Sequence, residues 1–241
     1  MGDGSTGLKV ELDETPGRGQ EQESFVLTHD DGSSERIVLH DYSKVYAVPG
    51  LYEEVVQHQL GCASPQTLAG TLADAVAAAG ESMAALRVLD IGAGNGVVGE
   101  ELHARGAQVV AGTDGVVAAR DAARRDRPEL YEAYAIAGVD EITPEQLVVD
   151  HGLNALTTAG AIGLGHVEVA DVARWWATFP PGSWFAATAP PDVVDPEGED
   201  LLGVLIAAEP TTQVVRQETF PHRRRMSGET ITYTVVVARK A

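Results

Sequence analysis

The sequence has one cysteine, few aromatic residues and no long apolar run. Its single cysteine, Cys62, rules out an internal disulfide and a cysteine metal cluster. Aromatic residues make up 5% of the chain, and alanine and valine fill in for them in a hydrophobic content of 44%. No apolar run reaches the ~18 residues that a membrane-spanning helix needs. We therefore expect no membrane attachment and no cysteine-based metal site.

Basic residues are also scarce, with 17 Lys plus Arg against 36 Asp plus Glu and a net charge of −19. Binding to nucleic acid depends on neutralising phosphates, so this charge argues against a nucleic acid partner. The first residues contain no apolar stretch typical of a secretory signal, and a cytoplasmic location is the expectation. No pattern of histidines and acids has metal-ligand spacing, so we predict no metal.

Charge is also concentrated locally, in two arginine-rich stretches. Arg120, Arg124, Arg125 and Arg127 fall in one predicted helix and are expected to form its solvated face. Arg223 to Arg225 follow His222 in the stretch PHRRRMSGE. That stretch is either a lip for an anionic acceptor or a solvated hairpin tip.

The 241 residues suffice for one domain with a sizeable core. We expect a disordered or weakly structured tail over residues 1–34, with disorder through residue 23 and a short hairpin starting at Ser24. Residues 35–241 form the single domain, divided into an N-terminal helical lid over 35–82 and a core over 83–241. Two helices are predicted in the lid, Leu51 to Gln59 and one that Ser64 caps and that runs to Ala79.

From Leu86 onward, predicted strands and helices alternate, which indicates a mostly parallel sheet with helices on both faces. The strands are predicted at 86–91, 108–113, 131–137, 155–159, 183–188, 211–220 and 230–239, and the helices at 96–105, 116–126, 144–149, 167–176 and 199–207. About nine residues join the last two strands, which is too few for a helical crossover. The C-terminal strand is therefore predicted to be antiparallel.

The stretch VLDIGAGNGVVGE, Val88 to Glu100, indicates a buried strand, a glycine turn and the start of a helix. Its glycines let the backbone take positive φ and let a ligand lie directly against it. Asp114 ends the next strand, 18 residues after Gly96. A carboxylate at that position of a βαβ unit can accept hydrogen bonds from ribose hydroxyls. The pattern predicts a ligand that contains a nucleoside.

The spacing of Gly94, Gly96 and Gly99 also matches GxGxxG, which alone suggests a dinucleotide. Asp90 favours another ligand, because a carboxylate repels a pyrophosphate and suits a positively charged amino group. V-L-D-I-G-A-G-N-G, followed by the acid Asp114, resembles the first two motifs of class I S-adenosylmethionine-dependent methyltransferases. The resemblance covers roughly Asp41 to Lys240.

This resemblance implies a Rossmann-like, seven-stranded, mostly parallel sheet with an antiparallel C-terminal strand and N-terminal helices over the cofactor site. The cofactor would be S-adenosylmethionine, with S-adenosylhomocysteine as product. Asp140 stands near the place where the family often has an acid for the adenine amino group. The residues expected at the cofactor site are Tyr46, Asp90, Gly92, Ala93, Gly94, Gly96, Asp114, Gly115, Asp140, Thr157 and Thr158.

The predicted chemistry is an in-line displacement, in which orientation alone can contribute ~7–11 kcal/mol and a general base is optional. The small-residue loop T-T-A-G-A-I-G-L-G-H leaves room for an acceptor and ends in His166, a candidate base. His222 is the second catalytic candidate.

The function predicted from the sequence is methyl transfer to oxygen, nitrogen or carbon of a small molecule, by a monomer or homodimer. One alternative is an NAD-dependent oxidoreductase, which would need a pair such as Tyr-x-x-x-Lys; the sequence contains none. The other is a non-catalytic S-adenosylmethionine-binding subunit, which would lack room for an acceptor.

Overall fold

The chain begins with a small antiparallel sheet. The structure, a computed structural model, describes residues 8–162, 167–194 and 200–241. Three strands, β1 (Lys9–Leu12), β2 (Ser24–Thr28) and β3 (Ser34–Val38), pair in the order β1-β2-β3. The hairpin β2–β3 agrees with the sequence pattern, whereas the expected disorder through residue 23 does not match β1. Its sequence KVEL alternates polar and apolar residues, and the apolar ones are the less exposed.

Three helical segments follow this sheet, and we refer to them as the lid, after the predicted range 35–82: α1 (Tyr42–Ala47), a π-helix (Glu53–Gln59) and α2 (Ser64–Ala78). Phe25 and Ile37 of the small sheet share one buried cluster with Leu51 and Val55. The helix predicted from Leu51 is therefore present, but from Glu53 it has π geometry. Such segments are rare and occur frequently at functional sites.

The central sheet has seven strands in the order β6-β5-β4-β7-β8-β10-β9. Only β10 runs antiparallel to its neighbours, β8 and β9, which confirms the predicted fold class. Five residues separate β9 from β10, fewer than expected, because β9 continues through Arg224. The strands are β4 (Arg87–Ile91), β5 (Gln108–Asp114), β6 (Ala133–Ile136), β7 (Ala155–Ala159), β8 (Trp184–Ala189), β9 (Thr212–Arg224) and β10 (Thr230–Lys240).

Helices cover both faces of this sheet. Trp176 and Phe185 belong to the buried cluster on one face, and Leu72 and Trp184 to the cluster on the other. Burying each such side chain contributes about 1.5–3 kcal/mol. The helices are α3 (Val97–Ala104), α4 (Val117–Asp126), α5 (Pro144–His151), α6 (Val169–Ala177), α7 (Pro191–Val194) and α8 (Leu201–Ala208). In the described ranges, no helix has both the length and the apolar character to cross a membrane.

The topology places a binding crevice at the carboxyl ends of β4 and β7. These two strands are neighbours, yet the chain proceeds from β4 through β5 and β6 on one side before it crosses to β7 on the other. Ligands of open α/β sheets bind at such a switch point. The lid helix α1 packs against α4 beside this crevice.

Candidate functional site

The glycine loop joins β4 to α3 and is held in a conformation that favours glycine. Gly94 has φ +57°, and a Cβ atom there would lie 2.5 Å from the Tyr46 hydroxyl oxygen. Gly96 has φ +94° and caps α3. Because Gly94 has no side chain, the Tyr46 hydroxyl of the lid can approach the loop backbone at this position.

Asp114, at the end of β5, connects this loop to the start of α4. Its Oδ2 accepts a hydrogen bond from the Gly94 N–H at 2.9 Å, and its Oδ1 accepts one from the Val116 N–H at 2.9 Å. The two sequence features that predicted a nucleoside site are thus in direct contact.

A cavity of about 420 Å³ opens above these residues, and we call it the larger cavity. Asp114 and Gly115 contribute one side of it, and Gly92 and Tyr46 contribute to the rest. Apolar walls are supplied by Val116, Ala137 and Trp175, among others. A mostly apolar cleft with a few polar groups is the usual form of a small-molecule site.

A second, smaller cavity of about 90 Å³ adjoins the first. The walls that the two cavities share comprise Tyr42, Tyr46, Tyr52, Gly92, Ala159 and Gly160. Tyr42 and Tyr46 are stacked with centroids 5.6 Å apart, and the Tyr46 and Tyr52 centroids lie 5.3 Å apart. Burial raises the pKa of Tyr46 well above its usual range, so this aromatic wall is neutral.

His222 lines the smaller cavity from strand β9. Its Nδ1 lies 2.8 Å from the Ser64 Oγ, and its ring stacks on Tyr233 at 3.8 Å with a 6° interplanar angle. Burial, with the adjacent cation of Arg223, lowers the His222 pKa to about 3. The predicted N-cap role of Ser64 is wrong: Ala63 occupies that position without a side-chain cap, and the Ser64 hydroxyl faces His222.

Arg223, the first arginine of the basic stretch, is buried and lines the smaller cavity. It is 6% exposed, and its Nη2 lies 2.6 Å from Oε2 of the buried Glu23. Glu23 also accepts a hydrogen bond from the Met226 N–H at 2.7 Å. Arg223 is therefore not part of a solvated hairpin tip, whereas a lip for an anionic acceptor stays a prediction. Its ion pair links Glu23, the residue before β2, to β9.

Asp90 lies in the interior, and it lines neither cavity. It is 1% exposed, and its carboxylate accepts hydrogen bonds from Thr157 Oγ1 at 2.8 Å and Tyr131 Oη at 3.1 Å. Burial raises its pKa to about 7, the two hydrogen bonds oppose the rise, and the nearby Asp114 charge adds to it. Asp90 is therefore partly protonated near neutral pH.

Three hydrogen bonds that the sequence did not reveal connect the π-helix, Arg127 and the glycine loop. Arg127 Nη1 donates to Glu53 Oε1 at 2.9 Å and to the Asn95 carbonyl at 3.2 Å, and Asn95 Nδ2 donates to the same Glu53 oxygen at 2.8 Å. Arg127 was expected on a solvated face, and that expectation is wrong. Nothing in the local sequence links it to Glu53, 74 residues earlier.

The other predicted site residues lie apart from the cavities. Asp140 Oδ2 accepts hydrogen bonds from the Ile136 N–H at 2.6 Å and from Arg120 at 2.9 Å, so it closes the turn after β6. Thr157 and Thr158 are fully buried, and Gly96 packs against Leu130. His166 lies outside the described residues. The predicted cofactor-site residues that do line a cavity are Tyr46, Gly92, Ala93, Gly94, Asp114 and Gly115, and the predicted catalytic residue His222 lines the smaller cavity. The part of the chain that the structure describes contains no cluster of three His, Cys, Asp or Glu that could hold a metal.

Solved structures with a similar architecture include methyltransferases of low sequence identity. The magnesium protoporphyrin IX methyltransferase of Synechocystis PCC 6803, with bound S-adenosylmethionine, is 14% identical over 84% of this chain and 91% of its own, with a TM-score of 0.53. A proposed S-adenosylmethionine-dependent methyltransferase of Listeria monocytogenes is 12% identical over 74% of this chain and 99% of its own, with a TM-score of 0.53.

A proposed RNA methyltransferase of Pyrococcus horikoshii is 16% identical over 72% of this chain and 83% of its own, with a TM-score of 0.50. No family model and no curated protein matches the sequence. At these identities the likeness establishes the fold. The chain has the class I S-adenosylmethionine-dependent methyltransferase fold.

Proposed function

We propose that this chain binds S-adenosylmethionine in the larger cavity and transfers its methyl group to a small-molecule acceptor. The observation that carries the proposal is the contact between Asp114 and Gly94, which joins the acid at the end of β5 to the loop after β4 at the rim of a cavity. The fold alone is compatible with many functions, so the proposal depends on this site.

The residues of the larger cavity fit this cofactor. A volume of about 420 Å³ falls within the roughly 300–1,000 Å³ of small-molecule sites. Asp114 offers carboxylate oxygens for the ribose hydroxyls, beside the apolar surface of Val116 and Ala137 for the adenine. Gly115 has open space around its Cα, which suits a base lying close to the backbone.

The glycine loop is the proposed contact for the amino-acid end of the cofactor. Gly92 belongs to both cavities, so a ligand lying on it reaches from one into the other. Tyr46 would cover that ligand from the lid. Asp90 and Thr157 act from beneath the site: a positive amino group near the loop favours the ionised form of Asp90.

Two further predicted residues would act indirectly. Asp140 holds the turn that carries Ala137 into the larger cavity, so it shapes the proposed adenine site without touching it. Thr158 follows Thr157 in β7 and positions the shared wall at Ala159. His166 remains a predicted base.

The cofactor supplies an activated methyl group, and the chain supplies orientation and exclusion of water. The smaller cavity shares a wall with the larger one, so an acceptor held there faces the end of the cofactor that carries the methyl group. Holding two reactants in line can contribute ~7–11 kcal/mol. Tyr42, Tyr46 and Tyr52 of the lid cover the place where the two cavities meet.

A small molecule is favoured over RNA as the acceptor because of charge and enclosure. The net charge of −19 repels a polyphosphate. The smaller cavity, at about 90 Å³, admits only the reacting part of a compact acceptor unless the lid moves.

The experiment that tests methyl transfer is a measurement of S-adenosylhomocysteine released from S-adenosylmethionine. Small molecules with hydroxyl, amine or acidic carbon groups are compared with transfer RNA. Release stimulated by a small molecule supports the proposal, and release stimulated by RNA alone contradicts the acceptor class. Tight S-adenosylmethionine binding without any release favours the non-catalytic subunit.

A further inference from the structure

A chain of three buried side chains leads from the central sheet to the smaller cavity. Thr188 of β8, Ser64 of α2 and His222 of β9 are 0%, 2% and 7% exposed. Thr188 Oγ1 donates a hydrogen bond to Ser64 Oγ at 3.1 Å, and Ser64 Oγ lies 2.8 Å from His222 Nδ1. Three separate elements converge on this chain, so its geometry is fixed by the fold.

The order of these contacts favours one position for the proton on the His222 ring. The Thr188 hydroxyl donates to Ser64, so Ser64 has its own proton left to donate, and Nδ1 is the buried acceptor within reach of it. A neutral imidazole carries one proton, and a ring that accepts at Nδ1 carries it at Nε2. Nε2 is then a donor, and it has no lone pair with which to take a proton.

The surroundings also keep the ring neutral. The titratable groups that line the same cavity beside His222 include the Arg223 cation, the Cys62 thiol, His40 and the phenols of Tyr42, Tyr52 and Tyr233. The described lining contains no carboxylate, and Glu23 is committed to Arg223 and Met226. The described lining of this cavity therefore supplies no carboxylate as counter-ion for an imidazolium.

We propose that His222 donates a hydrogen bond from Nε2 to an oxygen atom of the acceptor, with Ser64 and Thr188 as positioning residues. The acceptor would accordingly present a carbonyl, carboxylate or already ionised hydroxyl oxygen to the smaller cavity. This role replaces that of a proton-accepting base. The acceptor half of the proposal rests on the proposed methyl transfer, whereas the tautomer does not.

The tautomer is read by long-range ¹H–¹⁵N NMR of the uniformly labelled, ligand-free protein, with His222 assigned by its loss in His222→Gln. We expect one protonated nitrogen, Nε2, unchanged between pH 5 and pH 8. Thr188→Val should introduce the Nδ1–H form, because Ser64 then loses its incoming donor, and Thr188→Ser should restore the native pattern. A proton on Nδ1, or an imidazolium that forms in this pH range, would overturn the proposal.

The donor role is read from steady-state kinetics with an acceptor found in the release assay. His222→Gln keeps an N–H donor and should raise the acceptor KM less than tenfold, whereas His222→Phe should raise it more than tenfold. S-adenosylmethionine affinity should stay within twofold in both. Equal losses in the two variants, or a wild-type pH profile that follows a histidine pKa, contradict the donor role. If the wild type does not bind S-adenosylmethionine, the proposed function is wrong, and so is the hydrogen bond from His222 to an acceptor. The NMR measurement decides the tautomer of His222 in either case.

Discussion

Oδ2 of Asp114 accepts a hydrogen bond from the backbone N–H of Gly94 at 2.9 Å. The acid after the second parallel strand and the glycine loop after the first therefore form one unit. The other oxygen of Asp114 holds Val116, at the start of α4. A change at Asp114 is expected to affect both the ligand and the loop that lies under it.

Gly94→Ala should weaken S-adenosylmethionine binding at least tenfold, because the new Cβ would lie 2.5 Å from the Tyr46 hydroxyl oxygen. The positive φ adds a strain of about 1 kcal/mol. Gly106→Ala is the matched control, because Gly106 has φ +95° and open space around it. Calorimetric titration should show the loss only in Gly94→Ala. Equal affinities in the two variants would show that the Tyr46 contact is unimportant.

Tyr134→Phe should loosen the glycine loop. The Tyr134 hydroxyl donates to the Gly94 carbonyl at 2.6 Å, and a buried carbonyl that loses its donor costs about 1–3 kcal/mol. We expect lower stability in urea together with three- to tenfold weaker S-adenosylmethionine binding. A loss of stability without any change in affinity would show that this hydrogen bond to the glycine loop does not affect cofactor binding.

Asp90→Asn should reduce the pH dependence of stability. The native pKa of Asp90 is about 7, raised from 3.8, so the folded state binds more protons than the unfolded state between these values. The stability that Asp90 contributes relative to Asp90→Asn is therefore greatest below its unfolded pKa and is lost as pH rises to about 7, a change on the order of 4 kcal/mol. Urea unfolding at pH 4 to 8 measures this difference, and parallel curves would contradict it.

Glu23→Ala should be strongly destabilising. It leaves the guanidinium of Arg223 buried without its carboxylate, and breaking a buried pair costs about 3–5 kcal/mol. Arg174→Ala is the control, since Arg174 is exposed and pairs with Glu145 at 2.5 Å on the surface. Loss of such a pair costs about 0–1 kcal/mol. Chemical unfolding of the two variants tests the contrast, and similar losses would contradict it.

The sequence predicted the central sheet closely because local patterns determine it. Buried strands, glycine punctuation and acids at strand ends are all properties of neighbouring residues, and Ala155–Ala159 forms β7 as predicted. The antiparallel last strand followed from the length of one connection. Gly94 and Asp114 were predicted at the site for the same reason.

The contacts that long-range packing decides could not be predicted. Ser64 has the local pattern of an N-cap, yet its hydroxyl faces His222, 158 residues later. Arg127 and Arg223 have the composition of solvated basic runs, but Glu53 and Glu23 lie far away in sequence. Asp140 was expected at the adenine and instead bonds the backbone of its own turn.

The most direct test of the account is calorimetric titration with S-adenosylmethionine, S-adenosylhomocysteine and NAD. It uses the wild type, Asp114→Ala and a control variant, Asp121→Ala. Asp121 is an exposed residue of α4. We predict micromolar binding of the two sulfur nucleosides by the wild type and Asp121→Ala, loss of at least tenfold in Asp114→Ala, and no NAD binding. Binding of NAD alone, or S-adenosylmethionine binding that Asp114→Ala leaves intact, would contradict the account.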